Sequence, residues 1–341
     1  MKLNEIEKRI LSSLIHSFIT SAAPVSSSQI ARDKHVELSS ATIRHILIDL
    51  EQKGYIHQPH PSSGRTPVTQ GYRAYVDELM KKSRITNEEK DRIVNSIQKS
   101  PGEFENVLRE ATHILAQLSH QLGIIISPRM DEGIFRKMEM VSISSDKILI
   151  VISIESGLLK TITFELPSQI SNEKIDLVNS ILNERLAGMR LGEIRKLFSD
   201  IVSDLKNEES GLVNALAKDA KRVFDFEERK DIFFEGTRFI GEQPEFANIQ
   251  KFTTMIELLE NPIDFIQIID EDSEEETSNI RIGEEITEKR MQECSIIRAR
   301  YKIGHISGTI GLIGPMRMNY SKLISLVEFT AKALTEKYLK N

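Results

Sequence analysis

At 341 residues the chain is too long for one compact core, so two or three domains are expected. With 40% hydrophobic and 28% charged residues it has the composition of a soluble protein, and no apolar run approaches the roughly 18 residues needed to cross a bilayer. Cys294 is the single cysteine, which excludes an intrachain disulfide and a cysteine-based zinc site.

The start Met1-Lys2-Leu3-Asn4-Glu5 opens straight into a helical pattern without a signal-peptide core, so a cytoplasmic protein is expected. The net charge of −6 is unevenly spread. Residues 1–82 hold eleven Lys and Arg against eight Asp and Glu, a balance of +3, which leaves −9 on the remainder. The acidic part includes Asp270-Glu271-Asp272 and Glu274-Glu275-Glu276, a pattern typical of a solvated loop. Five of the eight histidines (His16, His35, His45, His57 and His60) fall in the basic head, with no spacing that matches a metal-ligand set.

In chain order, Ile6, Ile10, Leu11, Leu14, Ile15 and Phe18 repeat at helical spacing from Leu3 to about Ser21, and Pro24 ends that pattern. Ser26, Ser27 and Ser28 are N-cap candidates for a short second helix through Asp33. Ser39 or Ser40 caps a third helix to about Lys53, which buries Ile43, Leu47 and Leu50 and stops at Gly54. Tyr55–Pro59 and Arg65–Val68 read as a hairpin closed by Pro61-Ser62-Ser63-Gly64. Thr69 is an N-cap candidate for a further helix to Met80. This order is that of a winged helix-turn-helix, with its boundary near residue 84.

A polar helix then runs to Ser100 and is broken at Pro101-Gly102. Phe104, Leu108, Ala111, Leu115, Leu118 and Leu122 form a strong amphipathic stripe. Strand character over Phe135–Ser144, Lys147–Ile154 and Leu158–Leu166 predicts a β-meander. Helical pattern covers Asn172–Phe226 and Glu245–Leu259. Strands return at Ile280–Ile282, Ser295–Ile303 and Ser307–Leu312, and a last helix spans Asn319–Tyr338. The body therefore reads as one α+β domain interrupted by an insertion. The helical block at 186–250 is the expected insertion, with Leu212, Leu216, Ala220 and Val223 lining either an interface or its own core.

In a helix-turn-helix the second helix of the motif enters the major groove with its N-terminal residues against base edges. Here those residues are Ser39, Ser40, Thr42, Arg44 and His45. Arg44 suits guanine O6/N7 or a phosphate, whereas Ser39 serves equally well as a helix cap. The helix start at Ser26 and Ser27 offers backbone N–H groups to a phosphate. At the hairpin tip, His60, Ser62, Ser63 and Arg65 surround Gly64, small enough for close approach to DNA.

Several stretches resemble the bacterial heat-inducible transcription repressor HrcA family. They are Pro24-Val25-Ser26-Ser27, Leu38-Ser39 through Arg44, Asp49-Leu50-Glu51, Gln58-Pro59-His60, Ser63-Gly64-Arg65-Thr66-Pro67 and Gly71-Tyr72-Arg73. Further matches are Phe234-Glu235-Gly236, Pro244-Glu245-Phe246, Ile282-Gly283-Glu284-Glu285 and Gly311 to Pro315 with Arg317-Met318. The resemblance implies a winged helix at 1–84, a GAF-like domain split into 85–185 and 251–341, and an inserted dimerisation domain at 186–250. It also implies a homodimer that binds double-stranded DNA at an inverted-repeat operator of chaperone operons, with activity dependent on the chaperonin GroEL and no cofactor. Ser40 stands where the family usually has proline, His45-Ile46 where it usually has Asn-Asp, and Met316 where it usually has threonine. No phosphate-cradling glycine loop or nucleophile elbow points to an enzyme. The alternative is a winged-helix regulator whose GAF-like body binds a metabolite.

Overall fold

Asn4 begins the first helix, α1 (Glu5–Ser21), by accepting the Ile6 and Glu7 N–H groups while Glu7 reaches back to the Asn4 N–H, a reciprocal cap. The structure, a computed structural model, describes residues 3–100, 104–166, 169–205, 211–224, 231–270 and 278–339. The expected break at Pro101-Gly102, the acidic stretch 271–276 and Phe226 lie outside these residues. Ile10, Leu11, Leu14 and Ile15 of α1 are fully buried, whereas Ile6 is exposed.

The helix α2 (Ser27–Ile30) is shorter than its pattern predicts, because the chain turns at residues 31–35. The third helix, α3 (Ser40–Gln52), packs Ile43, Leu47 and Leu50 against α1 and α2. Strands β1 (Ile56–His57) and β2 (Thr66–Pro67) pair as an antiparallel hairpin, and Val25 bridges Arg65 on its other side. Helix α4 (Thr69–Ala74) continues as a π-helical turn over Tyr75–Leu79.

Helices α6 (Phe104–Ser119) and the final α14 (Tyr320–Leu339) cover one face of a five-stranded antiparallel sheet, and α5 (Asn87–Lys99) packs on both of them. Its strands are β3 (Leu122–Ile126), β7 (Ile232–Glu235), β8 (Ser278–Ile282), β9 (Cys294–Ile303) and β10 (Ile306–Pro315), in the order β7-β3-β10-β9-β8. The other face is covered by α11 (Thr237–Gly241), α12 (Ile249–Leu259) and α13 (Pro262–Asp270), which bury Phe246, Met255, Leu258 and Phe265 against Leu122, Ile124 and Ile126. With helices on both faces β3 is apolar throughout, Leu122-Gly123-Ile124-Ile125-Ile126, rather than alternating. Leu122 therefore begins a strand, where the amphipathic stripe alone carries it on into the helix.

Between β3 and β7 lies a second unit with its own sheet, β4 (Phe135–Ser144), β5 (Lys147–Ile154) and β6 (Leu159–Glu165). One face of this meander packs on α7 (Asn172–Leu186); α8 (Leu191–Ile201), α9 (Leu212–Lys218) and α10 (Ala220–Val223) complete the unit. The helical block expected from Asn172 is thus four helices among the described residues. Leu212, Leu216, Ala220 and Val223 are buried in the unit's own core, and Phe198 stacks on Phe224 at 5.0 Å. The opposite face of the sheet is open, with Val141, Ile143 and Leu159 more than half exposed.

The chain leaves and rejoins the large sheet at one place. Ile126 pairs with Ile232, the Ser127 N–H donates to the Asp231 carbonyl at 2.8 Å, and the Asp231 N–H donates to Ser127 Oγ at 2.7 Å. The excursion therefore spans 127–231 and includes the meander, whereas the sequence pattern alone sets its edges at 186 and 250. The physical reason is that strand pairing across long sequence separation decides sheet membership, and local periodicity carries no record of it.

The head rests on the body. Arg73 pairs with Glu285 and donates to the Ile280 carbonyl at 2.7 Å. Residues 81–83 run along α14, where Ser83 N–H donates to Ser321 O and Ser325 Oγ donates to Ser83 O.

Candidate nucleic-acid interface

The exposed face of α3 follows from its buried one. Ile43, Leu47 and Leu50 turn inward, which leaves Ala41, Thr42, Arg44, His45 and Ile48 facing solvent. Thr42, Arg44 and His45 are thus brought together on one surface. Ser39 is the N-cap: its Oγ accepts the Thr42 N–H at 3.1 Å and lies 2.9 Å from Thr42 Oγ1. Ser40 Oγ lies 2.9 Å from Ser27 Oγ, so these two hydroxyls join the starts of α2 and α3. Ser26 caps α2 and exchanges hydrogen bonds with Gln29, which occupies one of the N–H groups expected to face a phosphate.

The turn into α3 is fixed from below. Asp33 accepts Ser13 Oγ at 2.6 Å and the His35 N–H at 3.0 Å, bonds that hold its carboxyl below the usual carboxylate range. In the first turn of α1, buried Glu7 accepts Lys53 Nζ at 2.6 Å, so the C-terminal end of α3 and the turn after α2 are each tied to α1.

His60 and Ser62 are exposed at the hairpin tip. Ser63 closes the turn: it donates to the His60 carbonyl at 2.8 Å and accepts the His60 N–H at 3.0 Å. Gly64 is small for an internal reason, since a Cβ there would sit 2.4 Å from the Val25 carbonyl carbon. Arg65 differs most from expectation. Its side chain is only 13% exposed, and its Nε lies 3.0 Å from Glu51 Oε2, an ion pair by distance without an aligned hydrogen bond. Glu51 and Gln58 are residues that sequence reasoning did not single out as functional. Beyond their place in the Asp49-Leu50-Glu51 and Gln58-Pro59-His60 stretches, the signal is Glu51 itself, an acid in the last turn of α3, where the helix dipole disfavours it.

A small helical head with a solvent-facing polar helix, carried on a two-sheet body, is the arrangement of a DNA-binding transcription regulator. The family model for the HrcA protein C terminal domain matches residues 105–324. Heat-inducible transcription repressors HrcA from Chlorobium phaeobacteroides and Chlorobaculum tepidum are 36% and 37% identical to the chain, covering 98% and 97% of it and 97% and 96% of their own lengths. A crystal structure of a hypothetical protein matches the fold with a TM-score of 0.70 at 23% identity over 99% of both chains. The chain belongs to the HrcA family of heat-inducible transcription repressors.

No helix among the described residues is long and apolar enough to cross a membrane.

Proposed function

We propose that the chain represses transcription of heat-shock chaperone operons by binding an inverted-repeat operator as a homodimer. Residues up to about 84 act as a winged helix, with α3 in the major groove and the β1–β2 hairpin as the wing. The single observation that carries this is the placement of Thr42, Arg44 and His45 together on the exposed face of α3, opposite Ile43, Leu47 and Leu50. Ser39 and Ser40 serve mainly to set the start of that helix, and His60 and Ser62 are the tip residues free to approach the duplex. The five-stranded sheet and its helices act as the GAF-like domain, and 127–231 as the inserted dimerisation unit. The open apolar face of β4–β6 supports a dimer contact in that unit.

Two heads related by a dyad address two half-sites, which matches operator symmetry to protein symmetry. Heat acts by mass action: repressor that unfolds leaves the operator, and free GroEL restores it. The test is a titration of the protein into an inverted-repeat duplex and a scrambled one at two salt concentrations, beside Arg44→Ala. Specific binding that Arg44→Ala weakens by about 1–3 kcal/mol supports base reading by α3. Equal, strongly salt-dependent binding to both duplexes rejects it.

A further inference from the structure

Glu51 occupies an unfavourable place, a carboxylate in the last turn of α3 where the partial charge of the helix is already negative. Its partners account for it. One oxygen accepts the Gln58 N–H at 2.7 Å, and the other lies 3.0 Å from Arg65 Nε. Gln58 follows β1 and Arg65 precedes β2, so a single carboxylate at the end of α3 holds both arms of the hairpin. Gln58 then extends the grip to the tip, its Nε2 donating to the Pro61 and Ser63 carbonyls, each at 2.9 Å.

Apart from the Val25–Arg65 bridge along one arm, little backbone pairing holds the hairpin. Its ladder has two paired positions, Ile56 with Pro67 and His57 with Thr66, and Pro67 has no N–H to donate. A two-stranded ribbon of that length is marginal in water on its own. The tip is where His60 and Ser62 are displayed, so whatever fixes the hairpin against α3 also fixes those two side chains relative to Arg44 and Thr42.

We propose that Glu51 and Arg65 form a positioning pair that sets the wing relative to α3, and that Arg65 acts through Glu51 rather than by touching DNA. This rests on α3 and the hairpin being the DNA-reading surface. Because the pair carries no net charge and Arg65 is largely covered, it adds nothing to the count of neutralised phosphates. Its effect on binding is geometric.

The two roles predict opposite signs for one substitution. Removing an acid beside a polyanion ordinarily strengthens binding, whereas removing a positioning acid weakens it. Glu51→Gln, Arg65→Gln and the double variant are compared with the unchanged chain on an inverted-repeat duplex across a salt series. Circular dichroism melting confirms folding, and hydroxyl-radical footprinting reports the wing. Glu51→Gln keeps the shape and an acceptor for the Gln58 N–H, so it is the variant least able to unfold the head.

The expected result is a roughly fivefold to tenfold weakening in each single variant and no further loss in the double, because coupled residues are not additive. The slope of log K against log salt stays unchanged. Protection under the wing is lost while protection under α3 remains, a split that general destabilisation does not produce.

The proposal is overturned if Glu51→Gln leaves affinity unchanged or raises it. It is overturned equally if Arg65→Gln alone reduces the salt slope by about one charge, the mark of a phosphate contact. Arg44→Ala separates the underlying reading from the proposal. Specific binding that Arg44→Ala weakens but Glu51→Gln does not removes only the positioning pair. An absence of specific binding in the unchanged chain removes both.

Discussion

Arg317, in the connection between β10 and α14, donates from Nη1 to the backbone carbonyl of Ile19 near the end of α1 at 3.0 Å. The same guanidinium holds Glu245 through Nε at 2.7 Å and Gln243 through Nη2 at 2.9 Å. One largely covered cation thus joins the head to two parts of the body, and it satisfies a carbonyl that the end of α1 leaves without a helical partner. Arg317→Ala is expected to cost about 1.5–3 kcal/mol, because the Glu245 carboxylate and the Ile19 carbonyl lose a charged donor. Hydrogen exchange should rise first along residues 81–83, which run along α14. Unchanged exchange there means the Arg73 contacts and the Ser83 bonds hold the head by themselves.

Periodicity made α1, α3, α14 and the β4–β6 meander legible, since each has one buried and one exposed face. It failed where both faces are buried or where pairing is distant. Leu122–Ile126 follows α6 without a glycine or proline between them; the chain instead turns at His120 with φ of 52°, a left-handed conformation that histidine favours more than most residues but too weakly to announce a break. The excursion 127–231 is defined by Ile126 pairing with Ile232, a relationship between residues that share no local pattern. At the site, the exposure of Thr42, Arg44 and His45 follows from the spacing of Ile43, Leu47 and Leu50. The covering of Arg65 does not, because its partner Glu51 lies on another element.

The Glu7–Lys53 pair gives the head a defined response to acid. The Lys53 hydrogen bond lowers the Glu7 carboxyl from its ordinary value of 4.5; burial opposes this, and the Asn4 N–H assists it. A carboxyl lowered by folding contributes its full stabilisation above 4.5 and loses it as pH falls through the folded value. Glu7→Gln should therefore weaken protection of α1 and α3 amides at pH 7 by about 1.5–3 kcal/mol. The gap between the two proteins should close as pH falls below 4.5. A gap that stays constant into acid assigns the effect of Glu7 to packing instead.

Gly64 separates an internal role from a DNA-facing one. A Cβ at this position would sit 2.4 to 2.6 Å from backbone atoms of Pro24 and Val25, which a flexible side chain cannot relieve. Gly64→Ala should force the hairpin away from the Val25 bridge and destabilise the head by about 1–3 kcal/mol in the absence of any DNA. Thermal unfolding of the free protein reads this directly. A variant as stable as the original, yet impaired in operator binding, would return Gly64 to the list of DNA-approach residues.

Tyr72 of α4 and Tyr320 of α14 meet where the head rests on the body, with ring centroids 6.0 Å apart, and their hydroxyls are treated oppositely. The Tyr320 hydroxyl donates to the Met316 carbonyl at 2.7 Å and lies 2.7 Å from Ser295 Oγ. The Tyr72 hydroxyl is buried and has no hydrogen-bond partner among the described residues. A buried hydroxyl without a partner costs its desolvation, and a bonded one returns that cost. Tyr72→Phe should therefore leave stability unchanged or raise it by up to about 1–3 kcal/mol, since the ring contact remains and only the stranded oxygen is removed. Tyr320→Phe should lower stability by about the same amount, because it strands Ser295 and the Met316 carbonyl. The urea midpoints of the two variants should move in opposite directions, or only that of Tyr320→Phe should move. A loss of stability in Tyr72→Phe equal to that in Tyr320→Phe means that an ordered water completes the Tyr72 hydroxyl at this junction.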